Sequence, residues 1–233
     1  MEHRAISVKS DLDTLKNVIY AWGAELVGFG NVSDALPRQL EHLPYAVSIA
    51  IKHPPLPYGL VTDSQVTIAY DYRSSAIDRK LLTIEERIKV YLRRKGYLAF
   101  PIPPDTHKKS KKFISRLYPL FPHKTAATCA GLGWIGKNGL LVTKNCGPRL
   151  SWATVLTNAP LEVCESPIEY SRCGDCRKCV EKCPSGAIGD RKWARADSNG
   201  PLIDVDLCRQ YLQQNEELLG YSICGICMIV CGR

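Results

Sequence analysis

Cys173-Gly-Asp-Cys176-Arg-Lys-Cys179-Val-Glu-Lys-Cys183-Pro184 is the stretch of the 233-residue chain best suited to chemistry. Three cysteines spaced by two residues, then a fourth after three more and a proline, match the bacterial ferredoxin run. There a tight turn gives three thiolates to one cubane iron–sulfur cluster, and the fourth Cys ligates a second. The run therefore requires a complement. Cys224, Cys227 and Cys231 repeat the two-then-three spacing without its first member. Cys208, 16 residues before Cys224, supplies that member if the intervening segment folds back. The expected partition gives one four-iron four-sulfur (4Fe-4S) cluster to Cys173, Cys176, Cys179 and Cys231, and another to Cys208, Cys224, Cys227 and Cys183. Cys-x2-Cys pairs also hold tetrahedral zinc. Four cysteines within eleven residues, one of them before a proline, crowd a single zinc ion and suit two clusters.

A second stretch places Gly131, Gly133 and Gly136 within six residues, after His123-Lys-Thr-Ala-Ala-Thr-Cys-Ala130. Such glycines let backbone amides approach a neighbour closely. The frame Gly131-x-Gly133-x-x-Gly136 superficially matches a dinucleotide fingerprint, but it follows a helical segment and precedes a strand, the reverse of the required context. Taken alone, the turn reads as structural. Cys129, Cys146 and Cys164 fall outside both cysteine sets and read as small buried or half-buried thiols.

Composition bounds what these stretches serve. With 45% hydrophobic residues, the chain can bury one large core or two smaller ones. Eleven cysteines fit metal-holding thiolates in the cytosol better than a secreted disulfide framework. No apolar run approaches the roughly 20 residues of a membrane span, and the first residues show no apolar signal region. The net charge of +8 is concentrated in part at Arg93-Arg94-Lys95 and around Lys108, Lys109, Lys111 and Lys112. Without interleaved aromatics, such runs read equally as an anion-binding patch or a solvated face.

The elements that must position these groups alternate irregularly. Leu12, Leu15, Val18 and Ile19 predict a helix ending near Gly23. Leu26–Phe29 and Ala46–Ile51 read as strands, and Pro54–Gly59 as a loop. Leu81, Ile84, Ile88, Tyr91 and Leu92 mark one helix face, closed by Gly96. Tyr97–Phe100 reads as a strand stopping at Pro101. A short helix over Ala126–Ala130 leads to strands at Leu140–Thr143 and Trp152–Leu156, with a turn at Cys146, Gly147 and Pro148. A helix with Leu207, Tyr211, Leu212, Leu218 and Leu219 carries Cys208. The class is α+β, with domains over 1–160 and 161–233.

Together, Ala130–Asn138, Thr157–Glu162, the Cys173 run with Pro184–Ile188, Cys208–Leu212 and Cys224–Cys231 resemble epoxyqueuosine reductases and, more distantly, reductive dehalogenases. The resemblance runs from about Tyr70 onward. It implies a nitroreductase-like cobalamin-binding domain followed by a ferredoxin-like domain with two 4Fe-4S clusters that feed electrons to a base-off corrin. It also implies cofactor contacts from Gly131, Leu132, Gly133, Trp134, Ile135, Gly136, Lys137 and Asn138, and an external donor of the ferredoxin or flavodoxin type. The family's catalytic Asp is matched here by Leu117, which leaves Tyr118 as the candidate proton donor. The helical-repeat region of longer members has no counterpart in the sequence. The expected substrate is therefore a small molecule or nucleoside rather than tRNA. Two further readings stay open: an electron-transfer protein that reduces a corrinoid or other partner, and a zinc-binding nucleic-acid module.

Overall fold

The computed structural model describes residues 12, 14–54, 64–102, 121–197, 199–219 and 224–232. They form two compact units. The first comprises Met1–Lys52, Ser75–Leu132 and Ser151–Ile168, and the second His53–Ser74, Gly133–Leu150 and Glu169–Arg233. Each unit draws on several separate segments of the chain, so no single boundary divides them.

The first unit is built on a four-stranded sheet of order β1-β2-β6-β3. β1 is Leu26–Asn31, β2 Tyr45–Lys52, β3 Ala99–Ile102 and β6 Leu150–Thr157. β1 and β2 are antiparallel, as are β3 and β6. Successive strand side chains point to opposite faces, and the core divides accordingly. Val47, Ile49 and Ile51 of β2 and Ala153 and Val155 of β6 join Leu15 and Ile19 of α1 (residues 14–21) and Leu81, Ile84, Ile88 and Leu92 of α2 (Ser64–Arg94). Ala46, Leu156 and Ile102 face a second cluster with Leu40, Leu43, Phe121 and Ala126. β2 is buried on both faces, which accounts for its apolar character from Ala46 to Ile51, broken only by the buried Ser48.

α2 begins well before the periodic face from Leu81 to Leu92. β3 continues through Pro101, opposite Val155, instead of stopping there. Proline removes one ladder donor, and β3 lies at the sheet edge, where that donor has no second strand to reach. The expected loop at Pro54–Gly59 lies, from residue 55, outside the described residues. α3, His123–Cys129, packs on β1 at a glycine. A Cβ at Gly30 would stand 2.8 Å from the Ala130 nitrogen. His123 Nδ1 lies 2.9 Å from Thr154 Oγ1, fixing the start of α3 to β6.

The second unit has little regular structure. β4 (Trp134–Ile135) and β5 (Leu141–Val142) form an antiparallel hairpin, so the end of the glycine stretch is itself a strand. Its turn is closed by Gly136 N–H to Leu140 O at 2.9 Å and by Leu140 N–H to Asn138 Oδ1 at 3.2 Å. α4 (Lys178–Glu181) and α6 (Ile226–Ile229) are single turns. α5, Val205–Leu219, is longer, and Asp204 Oδ1 caps it by accepting from the amides of Asp206 and Leu207, each at 3.0 Å. Its first apolar residues stay wet, with Val205 48% and Leu207 41% exposed. None of the described helices is long and apolar enough to cross a membrane.

Candidate metal centre

All eight cysteines of the two sets belong to the second unit. Cys173 and Cys176 are joined by a tight turn in which Cys176 N–H donates to Cys173 O at 3.2 Å. Cys179 lies on α4, and Cys183 follows it. Cys208 is on α5, Cys224 precedes Gly225 at the start of α6, Cys227 is within α6 and Cys231 lies beyond it. Gly225 has φ 69°, the left-handed conformation that lets the chain reverse between Cys224 and Cys227. None of the eight is disulfide-bonded.

The thiols act on each other in an interleaved pattern. Burial pushes the Cys179 thiol up, and the neighbouring thiols of Cys173, Cys231 and Cys176 add to the effect. Burial likewise raises Cys208, with Cys183 adding to it, and Cys224, to which Cys183 and Cys208 add. Cys227 is pushed up to about 12 by burial and then by Cys224, Cys179, Cys183 and Cys208. The last cysteine of each run therefore lies in the field of the other run's thiols. Only the link between Cys227 and Cys179 crosses between the two sets. Cys183 behaves differently. Burial disfavours its thiolate, but the Ser185 hydroxyl and the amides of Ser185, Ala187 and Ile188 outweigh this and lower its pKa. Amides aimed at a sulfur favour a thiolate there, the form in which cysteine ligates metal.

Thiols held protonated must release protons when they bind a metal. Among the described residues, no three His, Cys, Asp or Glu side chains close on one point as a single metal ion requires. The residue types and spacing of the two sets fit a thiolate-ligated cluster.

The glycine stretch reaches both cysteine loops from the β4–β5 turn. Lys137, with a side chain only 2% exposed, donates from Nζ to Cys176 O at 3.0 Å and to Asp190 Oδ1 at 2.6 Å. Asp190 also pairs with Arg177, and its carboxyl is held below the usual range by Lys137 first and then by Arg177. Asn138 Nδ2 donates to Cys227 O at 3.1 Å. Asp190 and Arg177 were not evident in the sequence as partners of this turn. Lys137 and Asp190 lie 53 residues apart, and no spacing rule joins them.

The glycines make room for the chain itself. A Cβ at Gly133 would lie 2.5 Å from Val142 O, and one at Gly136 would lie 2.6 Å from Asn138 Oδ1. Gly131, at φ 70°, faces Cys164 Sγ, and the Leu132 side chain packs over Gly28. Trp134 is buried, while Ile135 is half-buried. The space a side chain would take at Gly133 and Gly136 is thus occupied by the chain's own atoms. Leu117 and Tyr118 lie outside the described residues.

A family of 4Fe-4S binding domains matches residues 167–189, the stretch holding Cys173, Cys176, Cys179 and Cys183. The epoxyqueuosine reductase of Aliivibrio fischeri is 35% identical over 113 residues, covering 44% of this chain and 28% of that protein. The tetrachloroethene reductive dehalogenase of Desulfitobacterium hafniense is 30% identical over 183 residues, covering 72% of this chain and 28% of its own length. The matched part thus spans little more than a quarter of either relative. The solved structure of epoxyqueuosine reductase from Streptococcus thermophilus superposes with a TM-score of 0.56 at 18% identity, covering 94% of this chain and 66% of that one. The chain therefore carries a 4Fe-4S binding segment, is similar in sequence to epoxyqueuosine reductases and reductive dehalogenases, and shares a fold with the former.

Proposed function

We propose that this chain is an iron–sulfur reductase of the epoxyqueuosine reductase type. Two 4Fe-4S clusters are held by Cys173, Cys176, Cys179 and Cys231, and by Cys183, Cys208, Cys224 and Cys227. The observation that carries this reading is the interleaving of the thiols: Cys231 acts on Cys179, while Cys183 acts on Cys208, Cys224 and Cys227. A bound 4Fe-4S cluster carries single electrons at a potential set by ligation, hydrogen bonds, charge and burial. The chain's own contribution is to present eight thiolates, direct the Ser185, Ala187 and Ile188 amides at Cys183, and fix two ligand loops through Lys137 and Asn138. The electron donor is a ferredoxin- or flavodoxin-type protein, the substrate a small molecule or nucleoside, and the compartment a reducing one such as the cytoplasm.

The resemblance also implies a base-off corrin. Its contacts with Gly131–Asn138 rest on that resemblance, and no step depends on it. A second reading rests on the cysteine sets alone: an electron-transfer protein that reduces a corrinoid or other partner. Titrating cluster-replete protein with cobalamin separates the two: binding supports the reductase with its own corrin, and no binding supports the partner reading.

Anaerobically prepared protein should carry about eight irons. Cys176→Ala is expected to abolish one spectroscopic centre, and Cys183→Ala the other. Damage to the same centre by both variants would overturn the ligand partition. Stoichiometric zinc without iron would overturn the redox reading.

A further inference from the structure

Lys137 and Asn138 are consecutive residues of one hairpin turn, yet each grips a loop of a different cysteine set. Lys137 brings an ammonium to the carbonyl of Cys176, and Asn138 brings a neutral amide to the carbonyl of Cys227. We propose that this pair makes the two cysteine sets electrically unequal: Lys137 raises the reduction potential of the cluster on the Cys173 set, and Asn138 holds the other loop without adding charge. The inference rests on the two-cluster reading above.

The charge balance around Lys137 supports it. Asp190 pairs with both Lys137 and Arg177, so the three side chains together carry one net positive charge. Lys137 is the buried member at 2% exposure, whereas the side chains of Arg177 and Asp190 are 50% and 41% exposed. Solvent screens charges at the surface far more than a buried one, so the Lys137 ammonium acts most strongly on its surroundings. Arg172, Asp175, Lys178, Glu181 and Lys182 of the same run are all exposed. Reduction adds one negative charge to a cluster, and a buried cation beside a ligand loop favours that state. Net charge and hydrogen bonding near the sulfurs are the protein's main means of setting such potentials.

The mount is rigid enough for this role. β4 and β5 pair Trp134 with Val142 and Ile135 with Leu141, and Asn138 Oδ1 closes the turn on the Leu140 amide. The lack of a Cβ at Gly133 lets this hairpin close to its own backbone. Lys137 and Asn138 are therefore positioning residues that act through the ligand loops, not groups that touch a substrate.

The test is an anaerobic redox titration of the full chain with both clusters followed by electron paramagnetic resonance. The centre lost in Cys176→Ala identifies the couple of the Cys173 set. Lys137→Met is expected to lower the reduction equilibrium of that couple at least tenfold, about 59 mV for one electron, with the other couple and the iron content unchanged. Asn138→Asp, which places a negative charge on the other loop, is expected to lower the second couple instead. Two unmoved couples in Lys137→Met at full iron content would overturn the proposal. If Lys137→Met fails to retain iron, Asp190→Asn at the half-exposed position decides. A rise of the first couple alone supports the proposal, and no rise overturns it. Fewer than two one-electron couples in the unmodified protein would refute the two-cluster reading itself, a separate failure from that of Lys137.

Discussion

Around β2 the chain buries apolar side chains on both faces of a strand, whereas among the described residues of 169–232 the only buried apolar side chains are Ala187, Ile188 and Met228. The sheet unit therefore has the apolar burial that ordinarily drives folding, at about 25 cal/mol per Å² removed from water. The cysteine-bearing segment lacks it. What that segment has instead is eight thiols in two sets, tight turns and a few side-chain to backbone bonds from the β4–β5 hairpin. Small metal sites of this kind draw their folding free energy from ligation. On the proposed reading one chain uses two sources of stability, and each can be removed separately.

The largest expected effect comes from removing iron. Chelation under reducing conditions is expected to abolish hydrogen-exchange protection at the amides of Cys176, Cys208 and Met228, which are bonded in the folded form. The amides of β2 and β6 should remain protected. Loss of protection in both regions together would show that the sheet unit also depends on the clusters, and the comparison would fail.

The converse experiment removes apolar volume from the sheet unit. Ile88, fully buried on α2 in the cluster with Val47, Ile49 and Val155, is expected to cost about 2–5 kcal/mol when changed to Ala. Iron content in the folded protein should be unchanged. Loss of iron in step with loss of stability would show that the two sources are coupled.

Gly133 tests the link between the hairpin and the cysteine loops. Its Cβ would press on Val142 O, a backbone atom that cannot swing aside. Gly133→Ala is expected to cost about 1–3 kcal/mol, as overpacking does, and to lower iron retention, because the displaced turn carries Lys137 and Asn138. A variant that keeps its iron and stability but loses cobalamin binding would make the turn a corrin contact.

The parts of the molecule that were legible in the sequence obey local rules. The run from Cys173 to Cys183 could be read as a 4Fe-4S binding segment because ligand spacing is fixed by the size of a cubane, and β2 because a strand buried on both faces is apolar at nearly every position. α5 followed from its apolar spacing, although it keeps its first apolar residues exposed, while the short helix expected over Ala126–Ala130 begins earlier, at His123. β3 extended past Pro101 because its position at the sheet edge, a tertiary fact, removes the penalty that proline carries elsewhere. Gly131–Asn138 carried a clear glycine signal but not its partners. Val142, Asp190 and the Cys176 and Cys227 carbonyls are brought there by the fold, from segments with no common period.

The smallest expected effect sharpens the comparison from within the sheet unit. Glu85 is 1% exposed on α2, and both its carboxylate oxygens lack a hydrogen-bond partner. Burial raises its pKa well above the ordinary value. The Thr154 amide lies close enough to offset this in part without making a full hydrogen bond, and Glu86 adds to the rise. The sign follows from proton counting. Above the unfolded value near 4.3, the unfolded chain has lost this proton while the folded chain still holds it. Stability contributed by this site therefore falls as pH rises from about 4.3 to the raised folded value, and is level above it. Glu85→Leu is expected to remove this slope and to raise the stability of the sheet unit at pH 8 by about 1–3 kcal/mol, the cost of an unpaired buried polar group. Denaturant unfolding of the wild-type and Glu85→Leu chains at pH 5 and pH 8 measures it. A wild-type chain whose Glu85-dependent stability grows with pH would mean that the carboxylate is paired when folded, and that the sheet unit too relies on a polar contact.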